Sequence, residues 1–388
     1  MALESYFVHG QSRFDPPPLS VGRKLIELNW PLVILLAAIA GVGGAMLYSA
    51  AGGWEPWSAR HLTRFGLGLI LMLGVAVLDI RIWMRLAYPI YWLSLALIVW
   101  VELAGATGMG AQRWIDLGVI QLQPSELMKI ALVLALARYY HGLEPGQASR
   151  PLRLLPPLAL VALPTVLVLR QPDLGTAILI VSGAAGILFL AGVSWKYFAV
   201  ALGGLLGALP IAWRFLHDYQ KDRILTFLDP ERDPLGAGYH ILQSKIAFGS
   251  GGVSGKGFMA GTQSHLDFLP EMQTDFIYTM LAEEFGLLGA LCLLSLYMLV
   301  ISYGYLLAFR VRHQFGRLVI LGVTLTFFLY VFINAAMVMG LVPVVGVPMP
   351  FVSYGGTAML TLLFGFGLLL SASVHRGVII PTHPHAPL

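Results

Sequence analysis

From residue 30 onward the chain is a succession of long apolar runs, separated by short polar or proline-rich stretches. The runs are continuous rather than alternating, so they read as helices and not as the ten-residue strands of a membrane barrel. A spanning helix needs about 20 mostly apolar residues. Ten runs qualify: 30–50, 62–79, 86–104, 124–140, 154–170, 174–193, 197–216, 286–309, 317–340 and 357–374. The pattern predicts an all-α integral membrane protein of ten transmembrane helices. It has an N-terminal segment 1–29, one polytopic domain over 30–377 and a tail over 378–388, with a large loop, 217–285, between the seventh and eighth helices.

Composition agrees. Hydrophobic residues make up 57% of the 388 and charged residues 11%, with a mean hydropathy of +0.78. A soluble domain carries roughly 25% charge, so this chain cannot clothe a water-exposed surface. Disordered, collagenous and coiled-coil classes fall by the same figures. The one cysteine, Cys292, permits neither an intrachain disulfide nor a cysteine metal cluster. The charged, proline-rich N-terminus lacks the short apolar core of a removable signal peptide.

Charge sets orientation. With the N-terminus inside, thirteen Lys and Arg fall on inner segments, Arg23, Lys24, Arg150, Arg153, Arg310 and Arg312 among them. Four fall on short outer segments: Arg60, Arg64, Arg113 and Arg170. Positive residues favour the cytoplasmic side, so both termini are expected in the cytoplasm and loop 217–285 outside. The net charge is only +4 and the basic residues are spread as topology requires, so nucleic acid is not an expected partner. The large loop holds ten of the 20 acidic residues, and none follows Glu284. Acid–base chemistry, if present, belongs outside.

Four polar constellations stand out. In QPSELMK (123–129), Pro124 suits a first helical position, Glu126 falls in the first turn, and Lys129 lies on the same face. An ionisable group inside a span faces the bundle and has a partner. A structural pair and a functional one have equal standing here. Nearby, Trp114 beside Arg113 reads as an interfacial anchor. In RQPDLGTA (170–177), Gln171-Pro172-Asp173 repeats the Gln-Pro-carboxylate entry, and both caps can face one outer cavity, though two well-capped helices explain them equally. The large loop brings Asp275 to the start of a helical run, with Thr279 and Glu283 on one face of it, near Arg223, Lys245 and Lys256. A carboxylate among cations at a membrane surface suits an anionic lipid head group. Finally, VPVVGVPMPFVSYGGTAML (342–360) breaks an apolar run with prolines and glycines and offers the hydroxyls of Ser353 and Tyr354. Irregular backbone at membrane depth lines a cavity or is buried by protein.

These residues resemble a known family. GAQRW, QPSELMK, QPDLGTA, LDPERDPLGAGYHILQSKIAFGSGG, GTQSHLDFLPEMQTDFIY, LAEEFGLLG and PFVSYGGTAML are similar, in order, to the shape, elongation, division and sporulation (SEDS) proteins, nearest the RodA branch. The resemblance runs from about residue 25 to 377. It implies ten helices with the outer loop after the seventh, and peptidoglycan glycosyltransferase activity at the inner membrane, polymerising lipid II for cell elongation. It carries the catalytic aspartate to Asp275, the functional tryptophan to Trp114 and the helix-four charged pair to Glu126 and Lys129. Asp275 then acts as general base on the acceptor hydroxyl, or orients it through a divalent cation, magnesium or manganese. Arg113, Asp173, Arg223, Lys245, Lys256, Ser353 and Tyr354 are the expected substrate contacts, with Arg223, Lys245 and Lys256 toward the pyrophosphate. The implied partners are lipid II, the undecaprenyl-pyrophosphate glycan, the elongation machinery and a class B penicillin-binding protein docked on the eighth and ninth helices. A lipid II flippase and a non-catalytic scaffold are the alternatives.

Overall fold

The computed structural model describes residues 20–108, 111–116, 121–144, 146–215, 221–222, 225–227, 229, 237–265 and 271–380. A short α1 (Val21–Ile26) leads into α2 (Trp30–Ala51), α3 (Ser58–Val77) and α4 (Ile80–Ala104). Three strands follow, β1 (Ala106–Gly108), β2 (Ala111–Asp116) and β3 (Gln121–Leu122). Then come α5 (Pro124–His141), α6 (Pro151–Arg170), α7 (Leu174–Leu190) and α8 (Trp195–Phe215). The remainder is α9 (Ala237–Ser250), the single turn α10 (Thr262–His265), α11 (Ile277–Arg310), α12 (Gln314–Val338) and α13 (Gly356–Val374). Among the described residues seven helices, α2, α3, α4, α6, α11, α12 and α13, are long and apolar enough to cross a membrane, and α7 is a shorter apolar helix. The other predicted runs, 124–140 and 197–216, coincide with α5 and α8.

The fold is not purely helical. The strands form one antiparallel ladder, β1–β2–β3, pairing Thr107 with Gln112 and Ile115 with Leu122. Strands of two to six residues leave too little sequence to show a period. They arise because a stretch returning between two helices must satisfy its own backbone hydrogen bonds.

Helix α5 is the central strut. Nearly every residue of it is buried, against α4, α7, α12 and α13. A helix enclosed by protein needs no lipid-facing surface, which is how it accommodates Glu126, Lys129 and Arg138. The peripheral helices do the opposite and expose large apolar side chains such as Leu103, Leu152, Val200 and Phe309. Cys292 is exposed among them on α11.

Helix α11 starts at Ile277, nine residues before the predicted span, and is broken at Gly286 (φ 65°, ψ −163°). This region of backbone space is essentially open to glycine alone. The 251–257 stretch fills the break. Lys256 and Gly257 donate their N–H groups to the carbonyls of Glu283 and Glu284 (3.0 and 2.9 Å), and Leu287 and Leu288 donate to Gly252 and Val253 (2.9 and 3.1 Å). Glu283 takes Lys256 Nζ at 2.6 Å and the N–H groups of Thr262 and Gln263. The glycine-rich loop thus replaces the helix's own ladder and fixes where the first half of α11 points.

Candidate functional site

One end of the bundle is closed by short ties. Asn29 donates to Ser373 Oγ (2.8 Å), Lys24 Nζ to the Val77 carbonyl (2.9 Å) and Ser371 to the Leu78 carbonyl (2.7 Å). The opposite end gathers the sheet, the 171–173 turn, the 271–276 turn and the segment between α12 and α13. They enclose a cavity of about 850 Å³.

Six predicted site residues line it: Asp275, Arg113, Trp114, Glu126, Asp173 and Tyr354. Both Gln-Pro entries therefore face one cavity, and they are joined. Gln123 Nε2 donates to Asp173 Oδ2 (3.2 Å), while Asp173 caps α7 by accepting from Thr176 N (3.1 Å) and its hydroxyl (2.9 Å). Arg113 staples β2 to this turn, donating to the carbonyls of Gln171 (2.9 Å) and Pro172 (2.8 Å).

Beneath the cavity lies the charged pair. Lys129 Nζ meets Glu126 Oε1 at 2.6 Å, with both side chains buried. The Tyr330 hydroxyl donates to Glu126 Oε2, and Lys129 sits over the Tyr330 ring, 4.4 Å from its centre. Glu126 thus touches both the cavity and the core, whereas Lys129 lies behind the wall.

Asp275 does not cap α11. It lies in a turn before α11, whose first helical residue is Ile277. Thr279 and Glu283 point elsewhere, to Ser244 Oγ (2.9 Å) and to Lys256. The turn is held by its carbonyls. Gln273 O accepts from Tyr354 N (2.8 Å), Thr274 O from Ser353 Oγ (2.5 Å) and Asp275 O from Asn334 Nδ2 (3.0 Å). Ser353 is therefore a tie and not a wall residue. Asp275's carboxyl has no hydrogen-bond partner among the described residues. A Cβ built on Gly346, which sits at φ +69°, would lie 3.5 Å from Oδ2. Burial pushes the Asp275 carboxyl up to about 7, and the negative charge of Glu271 adds to the rise.

The wall formed by 344–356 is braced by packing at Phe351. Phe351 holds φ +60°, costly for a bulky side chain. Packing compensates: its ring meets Phe65, Phe327 and Phe366 with centres about 6 Å apart.

The predicted cations are placed differently. Lys256 is engaged by Glu283, Lys245 lies against Gly340, and neither lines the cavity. Arg223 lies outside the described residues. The cations on the wall are Arg113 and Arg64, the latter 4.9 Å above the Tyr354 ring. Arg64 was legible only as an orientation charge, yet it stands inside a predicted span, which is the usual mark of a functional group. Asn334 gave a similar signal as the one amide in the run 317–340. Among the described residues no three His, Cys, Asp or Glu side chains converge closely enough to hold a metal ion.

The profile of the FtsW/RodA/SpoVE family, described as cell cycle proteins, matches residues 30–377. The peptidoglycan glycosyltransferase MrdB of Escherichia coli K12 is 44% identical over 357 residues, covering 91% of this chain and 95% of that protein. Among solved structures, the chain is similar to one from a study of the structural coordination of polymerization and crosslinking by a peptidoglycan synthase complex. The TM-score is 0.79 at 34% identity, over 90% of this chain and 98% of that one. It is also similar to the Thermus thermophilus rod shape determining protein RodA, with TM-score 0.70 at 30% identity, over 91% and 98%.

Proposed function

Because the chain belongs to the FtsW/RodA/SpoVE family of cell cycle proteins, we propose that it is a peptidoglycan glycosyltransferase of the bacterial inner membrane, polymerising lipid II during cell elongation in the cavity that Asp275 faces. In this reading ten helices span the membrane, both termini are cytoplasmic, and 217–285 forms the large outer loop. The coincidence of the ten apolar runs with helices supports the first point, and the inner excess of Lys and Arg the second.

One observation carries the mechanism: a carboxyl without a hydrogen-bond partner among the described residues, raised to about 7 and facing a cavity with two arginines on its wall. A general base works best with its pKa near the operating pH. Asp275 takes the proton of the acceptor's sugar 4-hydroxyl. The freed oxygen bonds the anomeric carbon of the chain carried on undecaprenyl pyrophosphate. The bond from that carbon to the pyrophosphate oxygen breaks with inversion, and the electron pair leaves on the pyrophosphate. Arg64 and Arg113 face the developing charge, the role expected from the sequence of Arg223, Lys245 and Lys256. Trp114 offers an apolar face to the sugar. Among the described residues no group of side chains fits a metal ion, and each role above belongs to the chain's own residues.

A class B penicillin-binding protein docks, in this reading, on the outer faces of α11 and α12. The exposed, stacked pair Phe328 and Phe332, with ring centres 5.7 Å apart, suits such a helix contact.

The test uses purified chain, with its partner if required, and fluorescent lipid II resolved on a gel. Asp275→Asn is expected to lower polymerisation by about 10²–10⁴-fold while leaving the fold intact. Polymerisation at the wild-type rate refutes the base. Wild-type protein that moves lipid II across a bilayer without polymer makes it a transporter instead.

A further inference from the structure

Among the described residues the hydrogen bonds that hold the Asp275 turn to 353–354 and α12 all go to its carbonyls, and the one from α12 is unlike the rest. Asn334 is fully buried, and its Nδ2 donates to two carbonyls, Asp275 O at 3.0 Å and Val347 O at 2.7 Å. Both partners are acceptors, so only the NH₂ end of the amide can serve them, and the orientation is settled by chemistry. Its Oδ1 has no hydrogen-bond partner among the described residues. A buried amide with a bare oxygen is a poor choice for packing.

The two carbonyls are informative. One belongs to Asp275 itself. The other belongs to Val347, next to Gly346, the residue that approaches the Asp275 carboxyl. A single side chain therefore fixes the spacing between the carboxyl and the backbone that walls it. The other two ties, to Gln273 O and Thr274 O, come from 353–354. Tyr330, one turn before Asn334 on α12, donates to Glu126. The buried face of α12 thus supports the cavity at two points one helical turn apart.

We propose that Asn334 is a positioning residue for glycosyl transfer: by tying Asp275 and Val347 to α12 it holds the carboxyl at the depth and facing required to take the acceptor proton. The inference rests on the role proposed for Asp275. It assigns Asn334 no contact with substrate. Substrate still enters when the tie is cut, but the base stands misplaced and wetter. A displacement of about 1 Å at a reacting group costs up to about 10²-fold.

Asn334→Leu keeps size and removes both donors. In the purified full chain, with partner, initial rates are measured against lipid II concentration and pH. The expected result is a kcat lowered at least about tenfold, with KM within about threefold of wild type. The acid-limb midpoint of kcat is expected to move below the wild-type value, because a better-hydrated carboxyl beside Glu271 loses its proton more easily. Asn334→Ser, with one hydroxyl donor, is expected to fall between the two, and it answers the question if the Leu variant does not fold. Wild-type kcat in either folded variant overturns the proposal. So does a lowered kcat with an unmoved midpoint, since loss of structure alone leaves the carboxyl's titration where it was. Asp275→Asn is run alongside. If that variant is active, the base reading fails; if it is inactive while the Asn334 variants behave as wild type, only the positioning role fails.

Discussion

Removing Lys129 tests whether the buried pair under the cavity is held together by mutual need. Its partners are few: Glu126 Oε1 at 2.6 Å and the Tyr330 ring at 4.4 Å. The side chains of Lys129 and Glu126 are only 3% and 6% exposed, so the pair is largely desolvated. Lys129→Met preserves the stem's volume but strands a carboxylate with the Tyr330 hydroxyl as its remaining protein donor. Breaking a buried pair from one side costs about 3–5 kcal/mol, whereas replacing both members with neutral groups is often close to neutral. Lys129→Met is therefore expected to lose about 3–5 kcal/mol, and Glu126→Gln/Lys129→Met less than half of that. Tyr330→Phe, which removes one donor and leaves the pair intact, falls in between at about 1–3 kcal/mol.

The assay is thermal unfolding in one detergent, followed by the monomer peak in size exclusion, with the four corners of the double-mutant cycle measured together. The reasoning is refuted if Lys129→Met unfolds with wild type. It is also refuted if the double variant falls as far as the single one, because the cost would then lie in lost packing and not in a stranded charge.

Further expectations follow from the same geometry. Asp275 must be ionised to act as a base, so polymerisation should rise with pH through about 7 and drop roughly tenfold per unit below it. Glu271→Gln removes the smaller cause of the raised value and should shift the midpoint down; an upward shift contradicts it. A folded-state pKa of about 7 against a reference of 3.8 means that ionisation opposes folding. Stability intact below about pH 4 is lost as pH rises to about 7, so Asp275→Asn should unfold at a higher temperature than wild type at pH 8 and with it at pH 4. Gly286→Ala would place a Cβ 2.4 Å from Gly255 N and 2.5 Å from Val253 O at φ +65°. It should cost well over about 3 kcal/mol, read as loss of monodisperse protein. Arg64→Ala should weaken turnover of lipid II more than Lys256→Ala does, since only Arg64 lines the cavity.

The helices were legible because lipid and burial both demand continuous apolar runs, and this chain supplies ten of them. The cavity's rim was legible for a related reason. Gln123-Pro124, Gln171-Pro172-Asp173 and the 342–356 segment each break an apolar run, and such breaks at a membrane boundary need either protein or water to satisfy them. What failed was the assignment of side chains by nearness in sequence. Thr279 and Glu283 follow Asp275 at helical spacing, yet the turn before Ile277 and the break at Gly286 send them to Ser244 and Lys256. Lys245 and Lys256 share the loop with Asp275 but not its cavity, while Arg64, more than 200 residues earlier in the chain, does share it. The strands between α4 and α5 gave no signal, because their register depends on pairing partners and not on period.

The hydrogen bonds around Asp275 hold its main chain and leave its carboxyl without a partner among the described residues. The turn that carries it offers three successive carbonyls, and each is taken: by a backbone N–H, by a serine hydroxyl and by a buried amide. These three donors are thus spent on the backbone. A donor aimed at the carboxylate would stabilise its charge and lower its pKa, which weakens a base at neutral pH. Holding the main chain and leaving the side chain alone reconciles two needs that conflict in most sites, a fixed position and an unsatisfied charge. The arrangement has a sharp consequence. A new donor beside the carboxyl, as in Gly346→Ser, would harm catalysis even if the fold tolerated the left-handed φ of +69°. The harm should appear as an acid limb moved to lower pH together with a lower plateau, whereas simple blockage of the cavity would lower the plateau and leave the limb in place.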